Sequence, residues 1–137
     1  MANFVYKKAK ESLLKGEIDV ALNNFKVLLV DTVSYTANQS IDQYVSDINS
    51  SAIKSRSENL SGITSVDGIL DANDASIPDH DGSTFSAIVL YQVGAADASS
   101  RLISYIDSSE NLPYLGDGIS RPVTIYWSDT DTKILSL

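Results

Sequence analysis

Short apolar runs, each bounded by turn-forming residues, make up most of the chain beyond residue 50. The clearest run is residues 85–93, FSAIVLYQV, while residues 101–107 and 122–127 alternate apolar and polar side chains with the period of a β-strand. Residues 25–31, FKVLLVD, are almost continuously apolar, as in a strand buried on both faces. The same pattern predicts shorter strands at residues 53–60, 62–66, 69–70, 75–78 and 133–137.

Two segments have helical spacing instead. The first covers residues 3–15, where lysines separate apolar residues and Gly16 follows as a helix stop; the apolar set is Phe4, Val5, Ala9, Leu13 and Leu14. The second covers residues 40–48, with Ser40 as its N-cap and one apolar face formed by Ile41, Tyr44, Val45 and Ile48. We therefore expect a short N-terminal helix and one further short helix.

The strand pattern determines the expected fold class. Roughly seven to nine short strands about ten residues apart, joined by Gly, Asp and Ser turns, are typical of an antiparallel sandwich or barrel. We predict a mainly β protein with a single, jelly-roll-like antiparallel β-sandwich domain.

Composition limits the function classes that remain. The chain has 137 residues, 43% of them hydrophobic, which is enough for one domain with its own core. It has no cysteine, so disulfides, thiolate catalysis and cysteine metal sites are excluded. There is no apolar run of membrane-spanning length, and the N-terminus lacks the apolar core of a signal peptide. We expect no membrane insertion and no Sec export.

Charge is unevenly distributed along the chain. Residues 1–16 contain four lysines and one glutamate. Residues 17–137 contain the other 6 basic and 17 acidic residues, so this part of the chain is strongly acidic and gives the whole chain its net charge of −8. We therefore divide the chain into a basic N-terminal helix or arm, residues 1–16, and an acidic β-sandwich domain, residues 17–137. An acidic body repels phosphate backbones, so nucleic acid is an unfavourable partner.

The sequence contains no catalytic or nucleotide-binding motif. His80, the only histidine, lies in a Pro, Gly and Asp segment, and no G-x-S-x-G, Walker-type or G-x-G-x-x-G pattern occurs. We predict that the protein is not an enzyme and has no catalytic residues and no cofactor.

The stretch DGILDANDASIPDHDGS, residues 67–83, holds five aspartates and His80. Asp and Asn bind their own backbone in turns, Pro78 fixes φ and Gly82 permits positive φ, so turn formation is the preferred interpretation. A cation bound by oxygen ligands is the alternative, although the EF-hand pattern is not met. We expect His80 to be exposed; the cation candidates are Asp71, Asp74, Asp79 and Asp81.

Several segments taken in order resemble a family of small phage and prophage proteins. They are MANFVYKKAKESLLKGEID, FKVLLVDTVSYT, YVSDI, VDGILDANDASIP, SAIVLYQ, SRLISYID, NLPY, VTIYW and the terminal KILSL. The resemblance covers nearly the whole chain and implies a structural protein of a tailed-phage virion, assembled in the host cytoplasm. Within that class we expect a capsid decoration (cement) protein on the outer face of the head. A tail or neck component is the alternative, and a carbohydrate- or calcium-binding β module stays open.

A decoration protein implies two partners, the major capsid protein and sister copies of itself. The lattice offers threefold positions and closed symmetry is common, so we expect a homo-oligomer, with a trimer favoured. The charge split predicts that residues 1–16 make much of the contact. The candidate contact residues are Phe4, Tyr6, Lys7, Lys8, Lys10 and Lys15.

Overall fold

A computed structural model of the chain describes residues 3–20, 24–108, 112–127 and the backbone of 135–136. It is mainly β, with ten strands and one α-helix among the described residues. The elements in chain order are β1 (Phe4–Val5), α1 (Lys7–Leu14), β2 (Phe25–Val30), β3 (Ile53–Arg56), β4 (Thr64–Val66), β5 (Ile69–Asp71), β6 (Ala75–His80), β7 (Ala87–Gln92), β8 (Arg101–Ile106), β9 (Arg121–Ile125) and β10 (Leu135–Ser136).

A five-stranded antiparallel sheet with the order β1-β8-β7-β2-β3 forms the centre of the molecule. The longest apolar runs of the sequence, β2 and β7, lie in the middle, where Val27 pairs with Leu90 and Leu29 with Ile88. Every residue of β7 is buried, because the sheet is covered on both faces. The expected β-sandwich-like class is confirmed.

One face of this sheet packs against strands. β6 pairs with β9, and β5 pairs with β4 and β10, in two small sheets. Phe25 and Leu90 of the large sheet and Leu70 of β5 line the same small internal gap. The second layer of the sandwich therefore consists of short strands, and its core lies between these two sets of side chains.

The other face is covered by the connection between β2 and β3, residues 31–52. The backbone N–H of Asp31 donates to the carbonyl of Ala52 at 2.9 Å, which closes the base of this loop. Tyr35 reaches the sheet, where its ring meets Tyr105 edge-on and its hydroxyl lies 2.9 Å from the hydroxyl of Tyr6. The same Tyr35 hydroxyl donates to Asp42 at 2.6 Å, so a buried polar chain fixes the loop in place.

The prediction of a second helix over residues 40–48 is mostly wrong, because the helical part of this segment is one 3₁₀ turn, Val45–Asp47. Ser40 is not its cap; the Asp47 carboxylate instead accepts the backbone N–H groups of Gln43 and Tyr44, each at 2.9 Å. Asp and Asn side chains in this loop bind nearby backbone and so compete with helix formation. Two further 3₁₀ turns cover Ser50–Ala52 and Asp97–Ser99.

The N-terminal helix is shorter than predicted. Phe4 and Val5 form β1 and pair with Tyr105 and Ser104 of β8, so α1 begins only at Lys7. Aromatic and β-branched residues favour this edge pairing over a helical turn. The N-terminal segment therefore packs into the same core as the β strands; the boundary between residues 1–16 and 17–137 stays a prediction.

The strands expected at 53–60 and 62–66 form in shorter versions, and each pairs with a different strand. β3 pairs with β2, while β4 forms a hairpin with β5 through Asp67 and Gly68. Both turn residues have positive φ, 54° and 75°, as a two-residue hairpin requires. In the strand expected at 133–137, Leu135–Ser136 pairs with β5 and the other positions lie outside the described residues.

No described helix has the length and apolar character needed to cross a bilayer.

Candidate interaction surface

Helix α1 presents a solvent-facing stripe formed by Lys7, Lys10, Glu11 and Leu14. Positions three and four apart lie above one another on a helix, so these side chains share one face. The opposite face of α1 carries Ala9 and Ser12, both buried. Leu14 is 90% exposed, although the sequence pattern placed it on the apolar side of the helix. We call this set the α1 stripe.

The lysines of this region differ in their partners. Glu11 accepts a hydrogen bond from Lys15 at 2.9 Å and lies 3.8 Å from Lys8. The hydrogen bond from Lys15, followed by the nearby positive charges, lowers the pKa of Glu11, and the same bond raises the pKa of Lys15. Lys7 and Lys10 have no ion-pair partner within the described part of the chain. They are the cations available to an outside partner.

The two aromatic candidates for partner contact are placed differently from the lysines. Tyr6 is 0% exposed, and burial raises the pKa of its hydroxyl well above the usual range. Phe4 is half-buried and stacks on Tyr105, with ring centroids 4.9 Å apart. Tyr6 thus anchors the segment to the core and is not accessible to a partner in the folded chain.

A second group of exposed apolar side chains lies on loops at one end of the sandwich. Val33, Leu115 and Ile119 are 90%, 79% and 56% exposed. Sequence patterning did not single them out, because isolated apolar residues in polar loops give no periodic signal. We call these three residues the apolar pole.

The loops that carry the apolar pole are all attached to residues 82–86. Thr32, beside Val33, donates its backbone N–H to the Ser86 hydroxyl at 2.9 Å. Tyr114, beside Leu115, exchanges backbone hydrogen bonds with Phe85. A Cβ atom at Gly82 would lie only 2.5 Å from the backbone nitrogen of Ile119, so the backbones of these two residues pack closely. The pole is therefore built on a common support.

The acidic stretch forms strands and turns. Asp67 and Gly68 make the β4–β5 hairpin, and the turn after β6 is closed by Asp81, whose carboxylate accepts the backbone N–H of Ser83 at 2.9 Å. Hydrogen bonds from Ser83 hold the pKa of Asp81 below its usual range. Turn formation, the preferred interpretation, is confirmed at these two positions.

The cation candidates are spread over different elements. Asp71 ends β5, Asp74 lies in the following loop, Asp79 lies in β6 and Asp81 follows it. Across residues 3–20, 24–108 and 112–127, no three His, Asp or Glu side chains converge closely enough to hold a metal ion.

The prediction that His80 is exposed is wrong. His80 ends β6 with 0% exposure, and its ring meets Phe85 and Tyr114 edge-on. A carbonyl can only accept, so the Nε2–H of His80 donates to the Ser83 carbonyl, at 2.8 Å. Nδ1 lies 2.6 Å from the Ser55 hydroxyl of β3. The imidazole therefore joins the two layers of the sandwich, which local sequence could not reveal.

The Ser55–His80 contact resembles half of a nucleophilic triad only in its residue types. The second ring nitrogen of His80 binds a backbone carbonyl and not a carboxylate, so the orienting group of a triad is replaced. The ring is also enclosed, so a substrate cannot reach it without opening the sandwich. The geometry fits a structural link between β3 and β6.

Trp127, the single tryptophan of the sequence, follows β9. It is half-buried, packs against the core and donates its indole N–H to the carbonyl of Asn73 at 3.1 Å. It therefore ties the end of β9 to the β5–β6 loop.

No family model matches the chain, and no curated protein matches it either.

Proposed function

We propose that this chain is a structural protein of a tailed-phage virion, most specifically a decoration protein that binds the outer face of the head shell in many copies. The series of sequence segments that resembles small phage and prophage proteins, in the same order along the chain, supports this proposal. A β-sandwich-like domain with preformed contact surfaces is consistent with it. A tail or neck component is the alternative within the same class.

The observation that carries the proposal is that two groups of exposed side chains, the apolar pole and the α1 stripe, lie on elements tied to the core by hydrogen bonds and buried side chains. The apolar pole is supported by the residue 82–86 segment, and the α1 stripe is anchored by Tyr6 and Ala9. A preformed surface loses little conformational entropy on binding, so even a small contact area yields useful affinity. Repetition over a lattice then raises the overall affinity through avidity.

In this proposal the apolar pole contacts the shell. Exposed apolar side chains gain free energy when they leave water, at roughly 25 cal/mol per Å². Val33 and Leu115 are the two most exposed members and offer the largest area to bury. The acidic body then faces solvent and keeps neighbouring particles apart by charge repulsion.

The experiment is the addition of purified chain to head shells that lack it, with the bound copies counted per particle. The wild-type chain is expected to saturate a fixed number of exterior sites. Val33→Asp combined with Leu115→Asp should raise the apparent dissociation constant by about tenfold or more. Val66→Asp is the matched control, because Val66 is 64% exposed on the β4–β5 hairpin, outside the pole.

Two results contradict this proposal. The first is a wild-type chain that leaves the shells bare. The second is a Val66→Asp chain that loses as much occupancy as the pole variant, since the pole is then not the contact.

A second candidate function is carbohydrate binding, favoured by one cleft. It has a volume of about 550 Å³ beside the β2–β3 connection and is rich in hydroxyl and amide side chains: Ser34, Thr36, Ser46, Asn49 and Ser50. Such groups exchange hydrogen bonds with sugar hydroxyls. A glycan array probed with the labelled chain tests this function; binding that Asn49→Ala abolishes supports it, and an array without signal contradicts it.

A further inference from the structure

The α1 stripe combines positive charge with an exposed apolar side chain. Lys7 and Lys10 have no ion-pair partner among the described residues, and Leu14 lies one turn further along the same face. Buried Tyr6 and Ala9 hold the helix against β8, so the stripe has a fixed orientation. Interfaces are typically organised in this way, with an apolar anchor beside charges that select the partner.

The complementary surface lies on the same chain, along β6. Residues 57–100 contain seven acidic residues and no Lys or Arg. Three of their exposed carboxylates follow β6: Asp74 precedes the strand, Asp79 lies within it, and Glu58 is tied to it by a backbone hydrogen bond to Ser76 at 3.2 Å. We call Glu58, Asp74 and Asp79 the β6 acidic surface. Lys26, Lys54 and Arg56 also line the groove beside Asp79; the Lys54 ammonium donates a hydrogen bond to the Ser51 carbonyl, and Arg56 forms an ion pair with Asp97.

The two surfaces belong to different elements of one copy. α1 packs on β8, whereas β6 pairs with β9 and contacts β3. Among the described residues, Lys7 and Lys10 have no ion-pair partner although the sequence has an excess of acidic groups. Opposite charges that cannot meet inside one copy can meet between two copies, where they also direct the encounter.

We propose that the α1 stripe of one copy docks on the β6 acidic surface of a second copy. The two surfaces differ, so the contact is heterologous, and it closes into a ring when the rotation between copies permits. The expected trimer is one such ring. This inference deepens the proposed function by naming the surfaces through which sister copies meet.

The test uses the full chain in solution, without shells, by sedimentation velocity at low and high ionic strength. The wild-type chain should associate at low salt and dissociate at high salt, because exposed charges are screened beyond about 10 Å at 0.1 M. Lys7→Glu with Lys10→Glu, and separately Asp74→Lys with Asp79→Lys, should each weaken association about tenfold or more. An equimolar mixture of the two variants should associate again, because each supplies the surface the other has lost.

Controls separate this contact from general charge effects. Lys26→Glu makes half of that charge change outside α1, and because Lys26 lines the groove beside Glu58 and Asp79 it adds to the acidic surface, so its association should equal or exceed that of the wild type. Circular dichroism establishes that each variant is folded. The inference is overturned by a wild-type chain that is monomeric at low salt, or by folded variants whose mixture does not associate.

Failure of this inference can be distinguished from failure of the proposed function by comparing association in solution with binding to shells. A wild-type chain that saturates shells without associating in solution overturns the inference and leaves the decoration role intact. A chain that associates through these charges but leaves shells bare supports the inference and contradicts the decoration role.

Discussion

The N-terminal segment, residues 3–16, and the acidic stretch, residues 67–83, are the most unusual parts of the sequence, and the fold uses them differently. The first was expected to be a basic helix or arm whose side chains, Tyr6 among them, contact a partner, yet Tyr6 is among the most buried residues of the molecule. The second was expected to form turns, with a cation site as the alternative, and its backbone forms strands and turns around the enclosed His80. In both segments the buried side chains maintain the fold, and the exposed charges are the ones available to partners.

The largest effect is expected at Tyr6. Tyr6→Ala removes a buried ring and its hydrogen bond to Tyr35, and should lower the free energy of unfolding by about 3–5 kcal/mol. Denaturant titration followed by circular dichroism measures this change. Lys7→Ala, one residue away and exposed, is the control and should change stability by less than about 0.5 kcal/mol. Equal stability of the two variants would mean that the N-terminal segment is an independent arm.

His80 should give the next largest effect. His80→Ala leaves a cavity and an unpaired Ser83 carbonyl between the two layers, at a cost of about 2–4 kcal/mol. Asp79→Ala is the matched control, because Asp79 is the exposed neighbour on the same strand. A stability loss is measured by the same titration. If His80→Ala were as stable as Asp79→Ala, the interlayer link would be unimportant.

Alkaline pH should loosen the covering formed by the β2–β3 connection. Burial raises the pKa of Tyr6 and of Tyr35 above that of an unfolded tyrosine, which is about 10. The unfolded chain therefore releases these protons first, and stability that is complete below about pH 10 falls as the pH rises further. Thermal unfolding between pH 8 and 11 measures the slope. Tyr35→Phe should make the slope shallower; an unchanged slope would contradict this origin.

The smallest effect is expected from calcium. Calcium requires about six to eight oxygen ligands, and the described acidic side chains do not converge in threes. EDTA and added Ca²⁺ should therefore leave the melting temperature of the wild type unchanged. A rise of several degrees with Ca²⁺, abolished by Asp71→Asn with Asp74→Asn, would show that the acidic stretch binds a cation after all.

Sequence patterning predicted the strands that are long and apolar. The ends of β2 and β7 were predicted to within two residues, because continuous apolar runs leave few alternatives. The Asp67–Gly68 pair between two short strands also carries a hairpin signal that local reasoning can use. Turn chemistry in the acidic stretch follows from the same residue preferences.

Features that depend on distant parts of the chain were not predictable. β1 has two residues and exists only because β8 lies beside it. His80 is buried by Ser55, Phe85 and Tyr114, which come from three other segments. The apolar pole likewise brings together residues 33, 115 and 119 through hydrogen bonds to residues 82–86. Local periodicity contains no information about such neighbours.

We propose that this chain is a component of the outer surface of a phage head. Electron microscopy of particles released by cells that carry the gene, labelled with an antibody against the chain, tests it most directly. We expect label distributed over the exterior of the head. Label confined to the tail or neck, or particles without label, would contradict it.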